Sequence, residues 1–337
     1  MAEAASVYLE SVTATDIGVQ STGQKETTQL TFVVEDQNGN PLTKENSVDV
    51  DFRFGARPGG SEYITDETVT TNSNGEATAT VISGNLAGVV QVIAEFTMAD
   101  GTTVRSSKPV QVVIHAGLPS QAHLTIIPER RNFAIEENGQ YPVKVKAGDI
   151  HGNRVPDGTA IYFTTDGGFI QGSAFTVDGE ATANLTVANP IPANGQVTIT
   201  ATTANDTEQN ISISTNVLFT DSPIITVTPE TFDILNAEDQ QFDYTVMDAN
   251  GNPMAEGTTV TVTVDGNEID LLGDLDITIG APNSSFNNLD VTNYSFIIDD
   301  ANPDVTNETP VMITIEVAGP NGTARKTISG TKAKVRP

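Results

Sequence analysis

Asp248-Ala249-Asn250-Gly251-Asn252-Pro253 is the stretch from which the rest of the chain can be read. It occurs earlier as Asp36-Gln37-Asn38-Gly39-Asn40-Pro41, and in a looser copy as Asp149-Ile150-His151-Gly152-Asn153-Arg154. The three glycines lie 113 and 99 residues apart, so one unit is written three times. Asn-Gly is a strong signal for a tight hairpin turn, because Gly accepts positive φ freely and Asn tolerates the left-handed region. Pro after the turn cannot donate to a strand ladder, so it marks a strand start or an edge.

Alternating apolar runs flank each copy. Leu30-Thr31-Phe32-Val33-Val34, Val143-Lys144-Val145-Lys146 and Phe242-Asp243-Tyr244-Thr245-Val246 precede the turns. Val48-Asp49-Val50-Asp51-Phe52, Ile161-Tyr162-Phe163 and Val260-Thr261-Val262-Thr263-Val264 follow them. Apolar residues at every second position have the period of a strand. Two further signatures recur in the same order. Gly75-Glu76-Ala77-Thr78-Ala79 returns 104 residues later as Gly179-Glu180-Ala181-Thr182-Ala183. A second hairpin recurs near each unit's end, at Ala99-Asp100-Gly101-Thr102-Thr103, Ala204-Asn205-Asp206-Thr207 and Pro320-Asn321-Gly322-Thr323. Ordered landmarks at a spacing near 100 residues are the mark of a tandem array.

Composition agrees. The 337 residues contain no Cys and no Trp, aromatic content is 6%, and no long window has helical period. Disulfides and thiol chemistry are excluded, so each unit must hold by its apolar core, which a span of ~100 residues allows. Net charge is −28, unevenly spread: from Val155 to Ala324 there are 25 Asp and Glu and no Lys or Arg. Such a surface repels nucleic acid and anionic membranes and keeps an exposed protein soluble. The basic residues Arg325, Lys326, Lys332, Lys334 and Arg336 read as an ordinary exposed strand and tail. No apolar run approaches the ~18 residues of a membrane helix. Met1-Ala2-Glu3-Ala4-Ala5 lacks the regions of a signal peptide and reads as the start of a piece cut from a longer chain.

In the first unit, strands are expected at Val7–Val12, Leu30–Val34, Val48–Phe54, Ala77–Val81, Val89–Phe96 and Val110–Ile114. Gly and Pro break the pattern at His115–Ser120 and again at Thr220–Pro223, which read as short linkers. The third unit departs from the pattern. Val264 to Pro310 has no Gly-Glu-Ala-Thr-Ala copy, is rich in Asp and Asn, and reads as an insertion.

As a set, the Asp-x-Asn-Gly-Asn-Pro turn, the Gly-Glu-Ala-Thr-Ala strand and the Ala116-Gly117-Leu118-Pro119 junction resemble bacterial Ig-like domains of group 1, the repeats of intimin and invasin adhesins. The resemblance implies β-sandwiches of seven or so strands in two sheets. The expected fold is therefore all-β, a tandem array of three Ig-like antiparallel β-sandwich domains. They span residues 1–116, 117–221 and 222–337, the third divergent with an acidic, insertion-like region at 265–310. It also implies an extracellular or bacterial cell-surface location and a non-enzymatic structural or adhesive role. The partner would be another protein or a surface glycan, and the isolated chain a monomer, with no nucleic acid and no membrane insertion within this stretch. The alternative is a set of accessory or carbohydrate-binding modules of a large secreted enzyme. Glycan platforms use exposed aromatics, and the absence of Trp and scarcity of Tyr favour the first reading.

No catalytic, cofactor-binding or metal-binding residues are expected. His115, His123 and His151 form no constellation, and no nucleophile elbow, phosphate loop or zinc spacing occurs. Asp36-x-Asn38-x-Asn40 begins like an EF-hand, but Pro41 and Ser47 stand where Gly and Glu belong, and the Asp248 copy has Pro253 and Thr259 there. Asp and Asn in these turns are expected to hydrogen-bond their own backbone. A non-EF calcium site remains open at Asp299, Asp300 and Asp304.

Overall fold

The structure is a computed structural model and describes residues 3–137, 139–235, 237–266, 268–280, 292–302, 304 and 307–332. Module 1 contains β1 (Ala4–Val12), β2 (Asp16–Gly18), β3 (Thr27–Asp36), β4 (Asp49–Ala56), β5 (Tyr63–Ile64), β6 (Thr68–Thr70), β7 (Glu76–Ile82), β8 (Gly88–Thr97), β9 (Val104–Ser106) and β10 (Val110–His115). Module 2 contains β11 (Leu124–Pro128), β12 (Asn132–Ala134), β13 (Gln140–Ala147), β14 (Ala160–Thr165), β15 (Phe169–Ile170), β16 (Ser173–Phe175), β17 (Glu180–Thr186), β18 (Gln196–Ala204) and β19 (Asn210–Thr220). Module 3 contains β20 (Ile224–Thr228), β21 (Thr231–Ile234), β22 (Asp239–Met247), β23 (Thr259–Asp265), β24 (Ile269–Gly273), β25 (Asp276–Thr278), β26 (Asn293–Asp300), β27 (Thr309–Gly319) and β28 (Gly322–Lys332). No helix is long and apolar enough to cross a membrane.

Each module is a sandwich of two sheets with the same connectivity. The sheets are β1-β3-β7-β5 against β2-β10-β8-β4-β6, with β9 beside β8. Their counterparts are β11-β13-β17-β15 against β12-β19-β18-β14-β16, then β20-β22-β26-β24 against β21-β28-β27-β23-β25. The described residues of each module hold nine or more strands, against the seven or so expected. The extra ones arise because the opening strand divides between sheets and because β5, β6 and their counterparts are two- to five-residue edges.

The divided opening strand sets the path of the chain. β1 pairs antiparallel with β3, then the chain crosses to the other sheet, where β2 runs parallel to the last strand, β10. β12 and β19 repeat this, as do β21 and β28. A last strand parallel to the first carries the chain in at one end of the sandwich and out at the other.

Three separate cores follow from the alternation. Leu30, Phe32 and Val34 of β3 pack with Val50 and Phe52 of β4 and with Ala77, Ala79 and Val81 of β7. Module 2 repeats this with Val143, Val145, Ile161, Phe163, Ala181 and Ala183. In module 3 the registers place Tyr294 and Phe296 where modules 1 and 2 have the two small alanines of the Gly-Glu-Ala-Thr-Ala strand. Val262 in turn replaces Phe52 and Phe163. Large side chains are thus added on β26, while on β23 a valine stands where the other modules have phenylalanine. Phe296 stacks on Phe242, with ring centroids 4.9 Å apart and 9° between planes.

The stretch 265–310, expected to be insertion-like, contains strands of the sandwich. That stretch supplies β24, β25 and β26, the counterparts of β5, β6 and β7. Asp290 and the rest of 281–291 lie outside the described residues.

Candidate functional site

The repeated turn has one internal geometry. Glycine at its fourth position has φ of 78°, 82° and 79° at Gly39, Gly152 and Gly251, a region in which a side chain would be strained. The leading aspartate turns one carboxylate oxygen inward. Asp36 Oδ1 accepts the N–H groups of Asn38 at 2.8 Å and Asn40 at 3.0 Å. Asp149 does so with His151 and Asn153, and Asp248 with Asn250 and Asn252, all at 2.8–3.0 Å. The N–H of Asn40, then that of Asn38, hold the Asp36 carboxyl below its ordinary range. The expected backbone hydrogen bonding by the turn is thus present in all three copies.

In modules 2 and 3 the remaining polar atoms of the turn face the preceding module. Asp149 Oδ2 accepts the N–H of Gly117, in the linker, at 3.0 Å. Asn153 Nδ2 donates to the carbonyl of Asn85 at 2.8 Å, and its Oδ1 accepts the N–H of Ala87 at 3.1 Å. His151 Nε2 donates to the carbonyl of Gln20 at 2.7 Å. The turn therefore clasps two loops at the far end of module 1.

The clasp on module 2 is built from the same parts. Asn252 Nδ2 donates to the carbonyl of Asn194 at 3.0 Å, and Asp248 Oδ2 accepts the linker N–H of Asp221 at 3.4 Å. Gly195 permits the approach, since a Cβ there would lie 2.9 Å from Asn252 Nδ2. Module 2 also reaches back: Asn132 Nδ2 donates to the carbonyls of Pro253 at 2.6 Å and Met254 at 3.1 Å. Asn321, on the hairpin between β27 and β28, completes the junction. Its Nδ2 donates to Thr220 Oγ1 and to the carbonyls of Thr220 and Asp221, and its Oδ1 accepts the N–H of Ala255. Asn132, Thr220 and Asn321 are all buried.

The far end of module 3 is closed differently. Lys332 is fully buried on β28, in register with Ile234, as Thr220 is with Ala134 in module 2. Its Nζ lies 2.6 Å from Asp300 Oδ1 and 3.3 Å from Glu268 Oε2, and donates to the carbonyl of Asn302 at 2.9 Å. All three ammonium protons thus have acceptors. Burial alone would raise the Asp300 carboxyl, but the Lys332 ammonium and the N–H groups of Ala237 and Asn302 hold it below its ordinary range. Burial alone would lower Lys332, and its two carboxylate partners raise it instead.

This arrangement corrects one expectation and bears on a possibility left open. Lys332 is not part of an exposed basic strand and tail; Lys334 and Arg336 lie outside the described residues. Asp299, Asp300 and Asp304 are not gathered for calcium. Asp299 and Asp300 are successive strand residues on opposite faces, Asp300 already holds a cation, and Asp304 is exposed. Among the described residues no three His, Asp or Glu side chains stand together as metal ligands.

The histidines are likewise scattered. His115 Nε2 lies 3.0 Å from Asp16 Oδ1 on the surface, His123 closes the short 3-10 turn Gln121–His123, and His151 belongs to the clasp. Module 2 also exposes Tyr162, Phe169 and Phe175, at 59%, 63% and 67%, which composition did not suggest.

No protein-family model matches the chain. No curated protein matches it either. Solved structures are similar over most of its length. FdeC, an Escherichia coli adhesin, is 14% identical, with 96% of each chain covered and a TM-score of 0.47. InvD of Yersinia pseudotuberculosis is 15% identical, with 98% of each chain covered and a TM-score of 0.43. Invasin, a bacterial integrin-binding protein, is 17% identical at a TM-score of 0.35; the match spans 99% of this chain and 60% of that one.

Proposed function

We propose that the chain is a non-enzymatic segment of a bacterial cell-surface or secreted protein. Its three Ig-like domains, 1–116, 117–221 and 222–337, are set end to end as a stalk or adhesive array. One observation carries this reading. Each linker is bound by the turn of the module that follows it, and that turn clasps the end of the module before it. Chain entry and exit at opposite ends then propagate the array in one direction. Polar contacts have gone into holding modules in line rather than into assembling reactive groups. The far surfaces of the array, acidic and solvated, are left to meet a host protein or a surface glycan.

A carbohydrate-binding role keeps one observation in its favour, the exposed Tyr162, Phe169 and Phe175 of module 2. Small-angle scattering tests the stalk. Three modules in line form a rod on the order of 100 Å with a radius of gyration near 30 Å, against about 20 Å for one globule of this length. A value at the globular end overturns the stalk.

A further inference from the structure

The turn of module 1 lies against no other module of this chain, with Asn40 and Pro41 exposed. Asp36-Gln37-Asn38-Gly39-Asn40-Pro41 matches Asp248-Ala249-Asn250-Gly251-Asn252-Pro253 at every position but the second. The two copies share backbone conformation and the same hydrogen bonds to the leading aspartate. They differ in what covers them. Asp248, Asn252 and Pro253 are buried at the junction with module 2, whereas Asn40 and Pro41 are exposed and Asp36 is half-buried. Asn40 Nδ2 has only a 3.4 Å contact to Asp36 Oδ1, where Asn252 Nδ2 also reaches a carbonyl of the preceding module.

We propose that the turn of module 1 is a docking face for the far end of a further Ig-like module of the module 2 kind. The occupant is defined by the chemistry that module 2 presents to Asp248–Met254. It offers a loop carbonyl like that of Asn194 for Asn40 Nδ2, and an asparagine amide like that of Asn132 for the carbonyl of Pro41. A linker N–H, like that of Asp221, meets Asp36 Oδ2. The clasp made by module 2's own turn shares the loop carbonyl and the linker N–H, and differs in having His151 and Arg154 in place of Asn and Pro. The far end of module 3 is a poor fit, because the buried Lys332, held by Asp300 and Glu268, stands in register where module 2 presents Thr220.

The inference rests on the reading of the turns as clasps, and one set of proteins separates the two. Residues 117–223 are placed ahead of Ser6, giving a four-module chain in which a module 2 end faces the free turn through its own linker. Cutting at the junctions by a broad-specificity protease is timed for this chain and for the 337-residue chain, with and without Asn40→Ala and Asn252→Ala. Asn252→Ala is expected to speed cutting at 221–223 in both chains. Asn40→Ala is expected to speed cutting at the new junction by about tenfold, the change for one or two lost hydrogen bonds, and to leave the 337-residue chain unaltered. If Asn252→Ala acts and Asn40→Ala does not, the docking face is overturned and the clasps stand. If neither acts, both fall. Head-to-tail self-association of the 337-residue chain, abolished by Asn40→Ala, would assign the face to module 3 of a second copy and overturn the occupant named here.

Discussion

The junction between modules 2 and 3 and that between modules 1 and 2 use one turn with unequal thoroughness. At the first of these, Asp248, Asn252, Asn132, Thr220 and Asn321 are all buried and exchange hydrogen bonds across the boundary. At the other, Asp149 is buried but His151 and Asn153 are only half so, and Gln20, Asn85 and Ala87 meet them from loops near solvent. The turn supplies the grip; the residues around it decide how much water the grip excludes. A polar network shut away from water is stiff when complete and costly when any member is lost, whereas water can stand in for a missing partner at a half-exposed one. The difference teaches that a repeated motif does not imply joints of equal stiffness.

Removing Lys332 should have the largest effect, because the end of module 3 has no following turn among the described residues and relies on one ammonium. Lys332→Met leaves Asp300 buried without its cation, and loss of one partner from a buried pair costs roughly 3–5 kcal/mol. A drop in the urea midpoint of module 3, with modules 1 and 2 unmoved, is the expected result; amide exchange resolved by module measures it. The pH dependence has a definite sign. Asp300 lies below its ordinary 3.8 when folded, so its contribution is present above that pH and is lost as pH falls through the folded value. Lys332 lies above its ordinary 10.5, so its contribution is present below that pH and is lost as pH rises through the folded value. Lys332→Met should flatten both limbs in module 3.

Asn321→Ala comes next and tests the comparison directly. It strands the N–H of Ala255 and leaves Thr220 and Asp221 short of a donor in a buried site, for an expected loss of about 2–3 kcal/mol. Asn153→Ala should cost about 1 kcal/mol or less, since water can reach the groups it leaves. Equal losses in denaturation of the two variants would contradict the ranking of the two joints.

Much of this was legible in the sequence because it is local. Asp36, Asp149 and Asp248 bond within their own turns, the turn glycines need positive φ, and alternation in β3, β13 and β22 follows the strand period. What stayed hidden depends on contacts between distant residues. The second oxygen of Asp149 and the side chain of Asn153 look like any exposed turn until module 1 is placed against them. Lys332 reads as one member of a basic tail, and only the register of β28 with β21 carries it inside toward Asp300. The module 3 counterpart of the Gly-Glu-Ala-Thr-Ala strand could not be picked out because Tyr294 and Phe296 took over from alanines. A second change, Val262 for Phe52 and Phe163, lies on another strand.

The parallel pairing of the second half of the opening strand with the last strand has a mechanical consequence. In β2 with β10, β12 with β19 and β21 with β28, the two strands run side by side in one direction at the end where the chain leaves the module. Tension applied along the array drags such strands past each other lengthwise, so every rung between them is strained at once and none can peel first. Module 3 has four register pairs in this seam against three in each of the others, and its last rung ends on the anchored Lys332. Under shear flow, each link of the array would bear load as a lap joint does, and the third would be the last to yield.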